Sequence, residues 1–248
     1  MKSHIQMPKC VLKEFAIMEG KLKGRCYSFD IANGIISRTA PKKVNTVQDF
    51  YSEDVEHIFS ELIETPLGNE IRNIKDNIDR GQVPIMDANA ERVFLSYLHA
   101  LLSRSPMMLD SIRKELIVGV LFSEQMKNDL AAVAYGKMEE QQVFSDFRPI
   151  YLLNNTTIPF VLPTCGFYFI NTDKAHAVMH LPITENIGVL LIKSDEDTDE
   201  KFVVLLEDKS KVRDMNIMAY RGQKIFKNAY LISSRKEELE RIKEECAK

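Results

Sequence analysis

The stretch RPIYLLNNTTIPFVLPTCGFYFINT, residues 148–172, decides the fold class. Short runs of β-branched and aromatic residues alternate there with Asn-Asn, Pro and Gly, a texture that predicts strands and turns. It continues through AVMHLPI (177–183), GVLLIK (188–193) and KFVVLLE (201–207), and returns in NAYLISS (228–234). Between and after these runs, KVRDMNIMAYRGQ (211–223) predicts a helix, and SRKEELERIKEECAK (234–248) a charged terminal helix.

Upstream the periodicity changes. RCYSFDIANGIISRT (25–39) alternates around Asn33-Gly34, and Asn-Gly supplies the positive dihedrals of a tight hairpin turn. YSEDVEHIFSELIE (51–64) sets Val55, Ile58, Phe59, Leu62 and Ile63 at helical spacing, with Ser52 as cap and Glu53 and Asp54 in the first turn. Pro66 kinks or restarts this helix, and Leu67, Ile71, Ile74 and Ile78 carry the apolar stripe on to Gly81. In DANAERVFLSYLHALLSRS (87–105) the stripe is Val93, Phe94, Tyr97, Leu98, Leu101 and Leu102, which leaves His99 on the opposite, wet face. Residues 108–142 are helical again, with a break expected near Gly119 or Gly136. A hairpin, a helical middle and a mostly antiparallel β carboxyl half make an α+β protein. One domain is expected over 1–248, its hairpin and helices in about 1–145 and its β-rich part in about 146–248.

Composition narrows the function classes. The 248 residues are 45% hydrophobic and 28% charged, ordinary for a globular chain with a real core. A net charge of -3 gives no global basic footprint, so no strong nucleic-acid signal is present. Cys10, Cys26, Cys165 and Cys246 stand far apart with no His at ligand spacing, which predicts reduced thiols and no zinc site. The opening MKSHIQMPKC holds no apolar run and no window approaches a membrane span, so a cytoplasmic protein without membrane contact is expected. No cofactor is implied.

Each constellation that could carry chemistry has a plain counterpart. His176 and His180 share the four-residue spacing of zinc peptidases, but Ala177 occupies the place of the catalytic Glu. In a strand, residues four apart lie roughly 13 Å from each other, so two ordinary strand histidines are expected. DEDTDE (195–200) imitates a calcium loop, yet Glu200 replaces the required Gly and Leu206 the bidentate Glu, which leaves a solvated hairpin loop. One order of elements has more content: Asp199 before a buried strand, then Glu207 and Lys209 at its end. It resembles the core of restriction-type nucleases, where an acid pair holds a metal and a Lys polarises the attacking water.

HIQMPKCVLKEF (4–15), VNTVQDFYSEDVE (44–56), SRSP (103–106), IPFVLPTCGF (158–167), HLPITENIGVLLI (180–192) and NIMAYRGQKIFKNAYLISS (216–234) together resemble the family called domain of unknown function 4238, over nearly the whole chain. The resemblance implies a mainly bacterial family with no established activity, opening on a His-x-x-Pro element. It singles out His4, Arg104, Glu56 or Glu64, and Asn216. Here three residues separate His4 from Pro8 where the pattern has two, and the family's Ser-Asp-Asn-Pro-like turn is replaced by LPTCG (162–166), leaving Thr164 and Cys165 in its place. Three functions stay open: a polar pocket binding a small or phosphate-bearing ligand through His4, Arg104, Glu64 and Asn216; a metal-dependent nuclease at Asp199, Glu207 and Lys209; and a protein-interaction module with a vestigial pocket.

Overall fold

The computed structural model describes residues 2–4, 7–44, 46–48, 50–105, 108–109, 124–172, 177–193, 203–224, 226 and 229–247, with the side chains of 2–4, 42, 48, 124 and 125 outside that description. The fold is α+β. Strands β1 (Lys2–His4) and β4 (Thr46–Gln48) pair antiparallel, with His4 opposite Thr46. Between them lie helix α1 (Lys9–Glu14) and the hairpin β2 (Cys26–Asp30) and β3 (Ile35–Thr39). Asp30 closes the hairpin by accepting from the Asn33 backbone and side chain at 3.0 and 2.8 Å, and Gly34 supplies the positive φ of 65°.

The helical middle consists of α2 (Glu53–Phe59), α3 (Thr65–Asp79), α4 (Ala88–Ser103) and α5 (Glu124–Glu140). The α-helix restarts at Pro66 without leaving helical geometry. A single π turn over Ser60–Glu64 joins α2 to α3, and Pro66 falls in the first turn of α3, at the change from π to α pitch. Asp87 caps α4 by accepting from the Asn89 and Ala90 N–H groups at 2.9 and 2.8 Å.

In the carboxyl part, β5 (Phe147–Asn154), β7 (Tyr168–Asn171), β8 (Val178–Pro182), β9 (Ile187–Lys193) and β10 (Val203–Leu206) form a sheet ordered β10-β5-β9-β8-β7, antiparallel except for the parallel β10–β5 pair. A second sheet, β3-β2-β11-β6, joins the amino-terminal hairpin to β11 (Tyr230–Ser233) and β6 (Leu162–Pro163). Helices α6 (Lys209–Gln223) and α7 (Lys236–Cys246) pack beside them. The apolar core runs without interruption from Met7 and Phe15 through Phe94 and Tyr151 to Leu231 and Ile242, so both parts of the chain bury their faces together.

Three local expectations change. His99 is buried, 4% exposed, because α5 and the turn after it cover the face assigned to water: its Nδ1 meets Glu139 Oε1 at 2.5 Å, its Nε2 the Val143 carbonyl at 2.6 Å, and its ring stacks on Phe144. The acidic stretch 195–200 lies outside the described residues, but it does not join hairpin partners, since β5 stands between β9 and β10. Of IPFVLP only Leu162–Pro163 is strand. Ahead of it Pro159 has no N–H to give, and the Asn216 amide supplies the partners a neighbouring strand would have provided.

Candidate functional site

The α4 stripe that buries Phe94, Tyr97, Leu98 and Leu101 delivers Arg104 to the carboxyl cap of the helix, where it is 1% exposed. Its guanidinium carbon lies 4.8 Å from the Phe59 ring centroid and 5.4 Å from that of Tyr51. Both rings come from α2 and its approach. Guanidinium groups favour such faces because a planar, weakly hydrated cation meets the negative quadrupole of the ring.

Glu64 acts on this cation, and Glu56 in turn acts on Glu64. Glu56 stands on α2 and Glu64 ends the π turn, which inserts an extra residue into that turn and resets the faces of α2 and α3 against each other. Glu56 Oε1 is buried with no hydrogen-bond partner among the described residues. Burial pushes the Glu64 carboxyl above its ordinary range and the Glu56 charge adds to this, while Arg104, the Lys9 charge and the Lys9 backbone N–H pull it back. Glu64 therefore faces both the guanidinium and the amino terminus of α1.

The opening segment and the LPTCG turn meet at the same place. The Tyr97 hydroxyl donates to Met7 Sδ at 3.3 Å, and its surroundings include Cys10, Cys165, Arg104 and Glu64. Gly166, at φ 84°, packs so tightly that a Cβ there would sit 2.6 Å from Leu101 Cδ1 and 2.9 Å from Met7 Cε. Thr164 and Cys165 are tied into a buried network: Thr164 Oγ1 donates to Gln223 Oε1 at 3.3 Å, Gln223 Nε2 donates to Cys165 Sγ at 2.7 Å, and the thiol donates to the Phe167 carbonyl at 2.7 Å. Burial pushes the Cys165 thiol up to about 11 and that of Cys10 up to about 12, so neither offers a thiolate at neutral pH. All four cysteines are free.

No family model, curated protein or solved structure matches the chain.

Of the residues singled out in the sequence, Arg104 and Glu64 come together. His4 is placed only by its backbone in β1, three residues before Met7; its side chain lies outside the described residues. Asn216 stands elsewhere, on α6: its Oδ1 accepts from the Val161 N–H at 3.0 Å, and its Nδ2 donates to the Pro159 carbonyl and to Glu238 Oε1 at 2.9 and 2.7 Å. Glu238 is in turn paired with Arg241 at 2.6 Å. Replacing Asn216 by Ala removes three buried bonds at once and is expected to cost about 3 kcal/mol of stability, measured as a lower urea midpoint, with ligand response at Arg104 retained. Unchanged stability together with lost ligand response would make Asn216 a contact of the site instead.

Glu207 and Lys209 are both exposed, on either side of Asp208, which caps α6 by accepting from the Ser210 N–H at 2.8 Å. Asp199 and His176 lie outside the described residues. The strand before Glu207 is an edge strand with Leu205 53% exposed, where the sequence suggested a buried one. Among the described residues no group of three His, Cys, Asp or Glu side chains gathers as a metal site.

Tyr51, Phe59 and Tyr97 went unmarked in the sequence as site residues, since each continues a helical stripe or adjoins a cap. The hint was the charge, because an Arg closing an apolar helix needs partners that sequence spacing does not name.

Proposed function

We propose that this chain binds a small phosphate- or carboxylate-bearing ligand that also carries hydroxyl or amino donors, with Arg104 as anchor and Glu56 and Glu64 as the polar groups beside it. The observation that carries this reading is the fully buried guanidinium between the Tyr51 and Phe59 rings, acting on Glu64 and Tyr51 together with Glu56, whose Oε1 is buried with no hydrogen-bond partner among the described residues. Burying a charge is costly unless other groups answer it, and a carboxyl raised by burial beside a buried cation, as Glu64 is, marks a candidate site. The guanidinium suits an oxyanion, and the Glu56 oxygen suits an O–H or N–H donor. A phosphate ester with free hydroxyls supplies both.

The resemblance to domain of unknown function 4238 supports the same location, because its His-x-x-Pro, Glu and Arg elements fall on the segment leading to Met7, on Glu64 and on Arg104. His4 is proposed as a further contact, able to donate to the anion or exchange a proton near neutral pH. A cytoplasmic setting fits the reduced thiols. Among the described residues no helix is long and apolar enough to cross a membrane.

Thermal unfolding in rising concentrations of inorganic phosphate, a sugar phosphate and a nucleoside monophosphate tests the proposal. The midpoint should rise with at least one ester, since a ligand that binds only the folded state stabilises it by mass action. Arg104→Lys should keep the fold and weaken the response at least about tenfold, because Lys lacks the planar two-pronged donor. A flat response to all three compounds, or an undiminished one in the Lys variant, rules the site out.

A further inference from the structure

Helix α1 carries a second feature. Lys9 and Lys13 stand four residues apart on one exposed helical face. Opposite them the chain after α1 folds back in a closed turn, with the Ile17 N–H on the Arg25 carbonyl at 2.7 Å, the Gly24 N–H on the Ile17 carbonyl at 2.8 Å, and Lys23 beside that closure. Between these walls lies a groove of about 310 Å³, floored by Ile17, Met18 and Pro41 and walled by Lys9, Lys13 and Lys23.

Its charge is one-sided. Residues 9–43 hold eight Lys or Arg against three Asp or Glu, in a chain whose net charge is -3. Among the described residues none of Lys9, Lys13 and Lys23 makes an ion pair, and the one acid on α1, Glu14, is engaged by Lys75 at 3.0 Å. Lys21 and Lys43 are exposed on the turns Gly20–Leu22 and Pro41–Lys43 that flank the groove. Met18, on the floor, is 62% exposed.

We infer that this groove docks an acidic peptide segment of a partner protein, one apolar side chain seated on Ile17, Met18 and Pro41 while flanking carboxylates meet Lys9, Lys13 and Lys23. Charge complementarity gives the sign of the partner. The lining gives its class. It sets an apolar strip of Ile17, Met18 and Pro41 among three Lys side chains, which suits one apolar side chain flanked by carboxylates, and among the described residues it includes no aromatic ring on which a nucleobase would stack. Of the groove residues Lys9 also acts on Glu64 of the Arg104 site, so the test rests on Lys13 and Lys23, and the Arg104→Lys variant should leave peptide binding unchanged.

The test is fluorescence anisotropy of a labelled synthetic peptide in which four acidic residues flank a single Phe. Controls are the same peptide with Ala for Phe, and vesicles containing phosphatidylserine. The full chain is expected to bind the Phe peptide in a salt-sensitive manner. The Lys13→Glu/Lys23→Glu variant, changed at two exposed positions and checked for an unaltered unfolding midpoint, should bind at least about tenfold more weakly, and the Ala peptide several-fold more weakly. Hydrogen exchange should slow in residues 9–24 and 40–44 on binding. Equal affinity in the charge-reversed variant, equal affinity for the Ala peptide, or binding to vesicles without binding to peptide would each overturn the inference.

Discussion

Replacing Gly188 by Ala should cost about 3 kcal/mol or more and leave the protein largely unfolded at temperatures the wild type tolerates. The glycine is not there for its backbone freedom, since its φ does not lie in the left-handed region. It is there because β9 crosses the His180 ring: a Cβ at position 188 would stand 2.1 Å from His180 Nε2 and 2.9 Å from Cδ2. An intruding methyl is cheap only when the neighbour can swing away. This ring cannot, because Nδ1 is bonded to the Tyr168 hydroxyl at 2.7 Å and the Phe160 and Tyr168 rings pack edge-on at centroid distances of 4.8 and 5.1 Å. Gly188 is also paired on both sides, with Pro182 of β8 and Leu152 of β5, so the backbone has nowhere to move. Denaturant unfolding of Gly188→Ala gives the cost. The double variant Gly188→Ala/His180→Ala should be more stable than Gly188→Ala alone, the sign of a specific clash and the reverse of additive damage. Wild-type stability in the single variant would refute the steric account.

Much of the fold could be read locally, and what escaped was long-range. The Asn33-Gly34 hairpin, the Ser52-capped helix and the strands of the carboxyl half follow from turn chemistry, caps and β-branched runs within a few residues of each other. That β2 pairs with β11, some two hundred residues away, is written in no local period. His99 illustrates the same limit: α4 buries two faces, one against the core and one under α5, and a single apolar stripe reveals only the first. At the site, Glu64 and Arg104 were marked by resemblance to a family, while Tyr51, Phe59 and Tyr97 look like any aromatic of an amphipathic helix until the folded chain sets them around a cation. The π turn that orients Glu64 has no sequence signature of its own. Asn216 shows the converse, a motif residue whose three bonds are accounted for by strand and helix packing.

Acid should destabilise this protein through His180, independently of its carboxylates. The ring is 0% exposed, and burial drives its imidazole from the ordinary value of 6.5 down to about 3. The neutral ring fits its surroundings, since one nitrogen shares a proton with Tyr168, whose phenol burial holds well above its usual range and therefore protonated. In the cation both ring nitrogens carry N–H groups, so Nδ1 can no longer accept from the Tyr168 hydroxyl, and the Nε2 N–H, which has no hydrogen-bond partner among the described residues, faces Gly188. Between pH 6.5 and 3 the unfolded chain binds this proton and the folded chain does not, so each step down in pH favours unfolding by about 1.4 kcal/mol per unit. The accumulated loss should approach about 4 kcal/mol by pH 3.5. Glu64 and Glu185, whose carboxyls burial raises, act in the opposite sense and gain stability as the pH falls, so the His180 contribution is read as a difference between proteins. Urea midpoints from pH 7 to 4 in the wild type and in His180→Leu/Tyr168→Phe, which removes both polar partners together, isolate it. The variant should lose the steep fall below pH 6.5, and parallel pH profiles in the two proteins would show that some other group takes up the proton on unfolding.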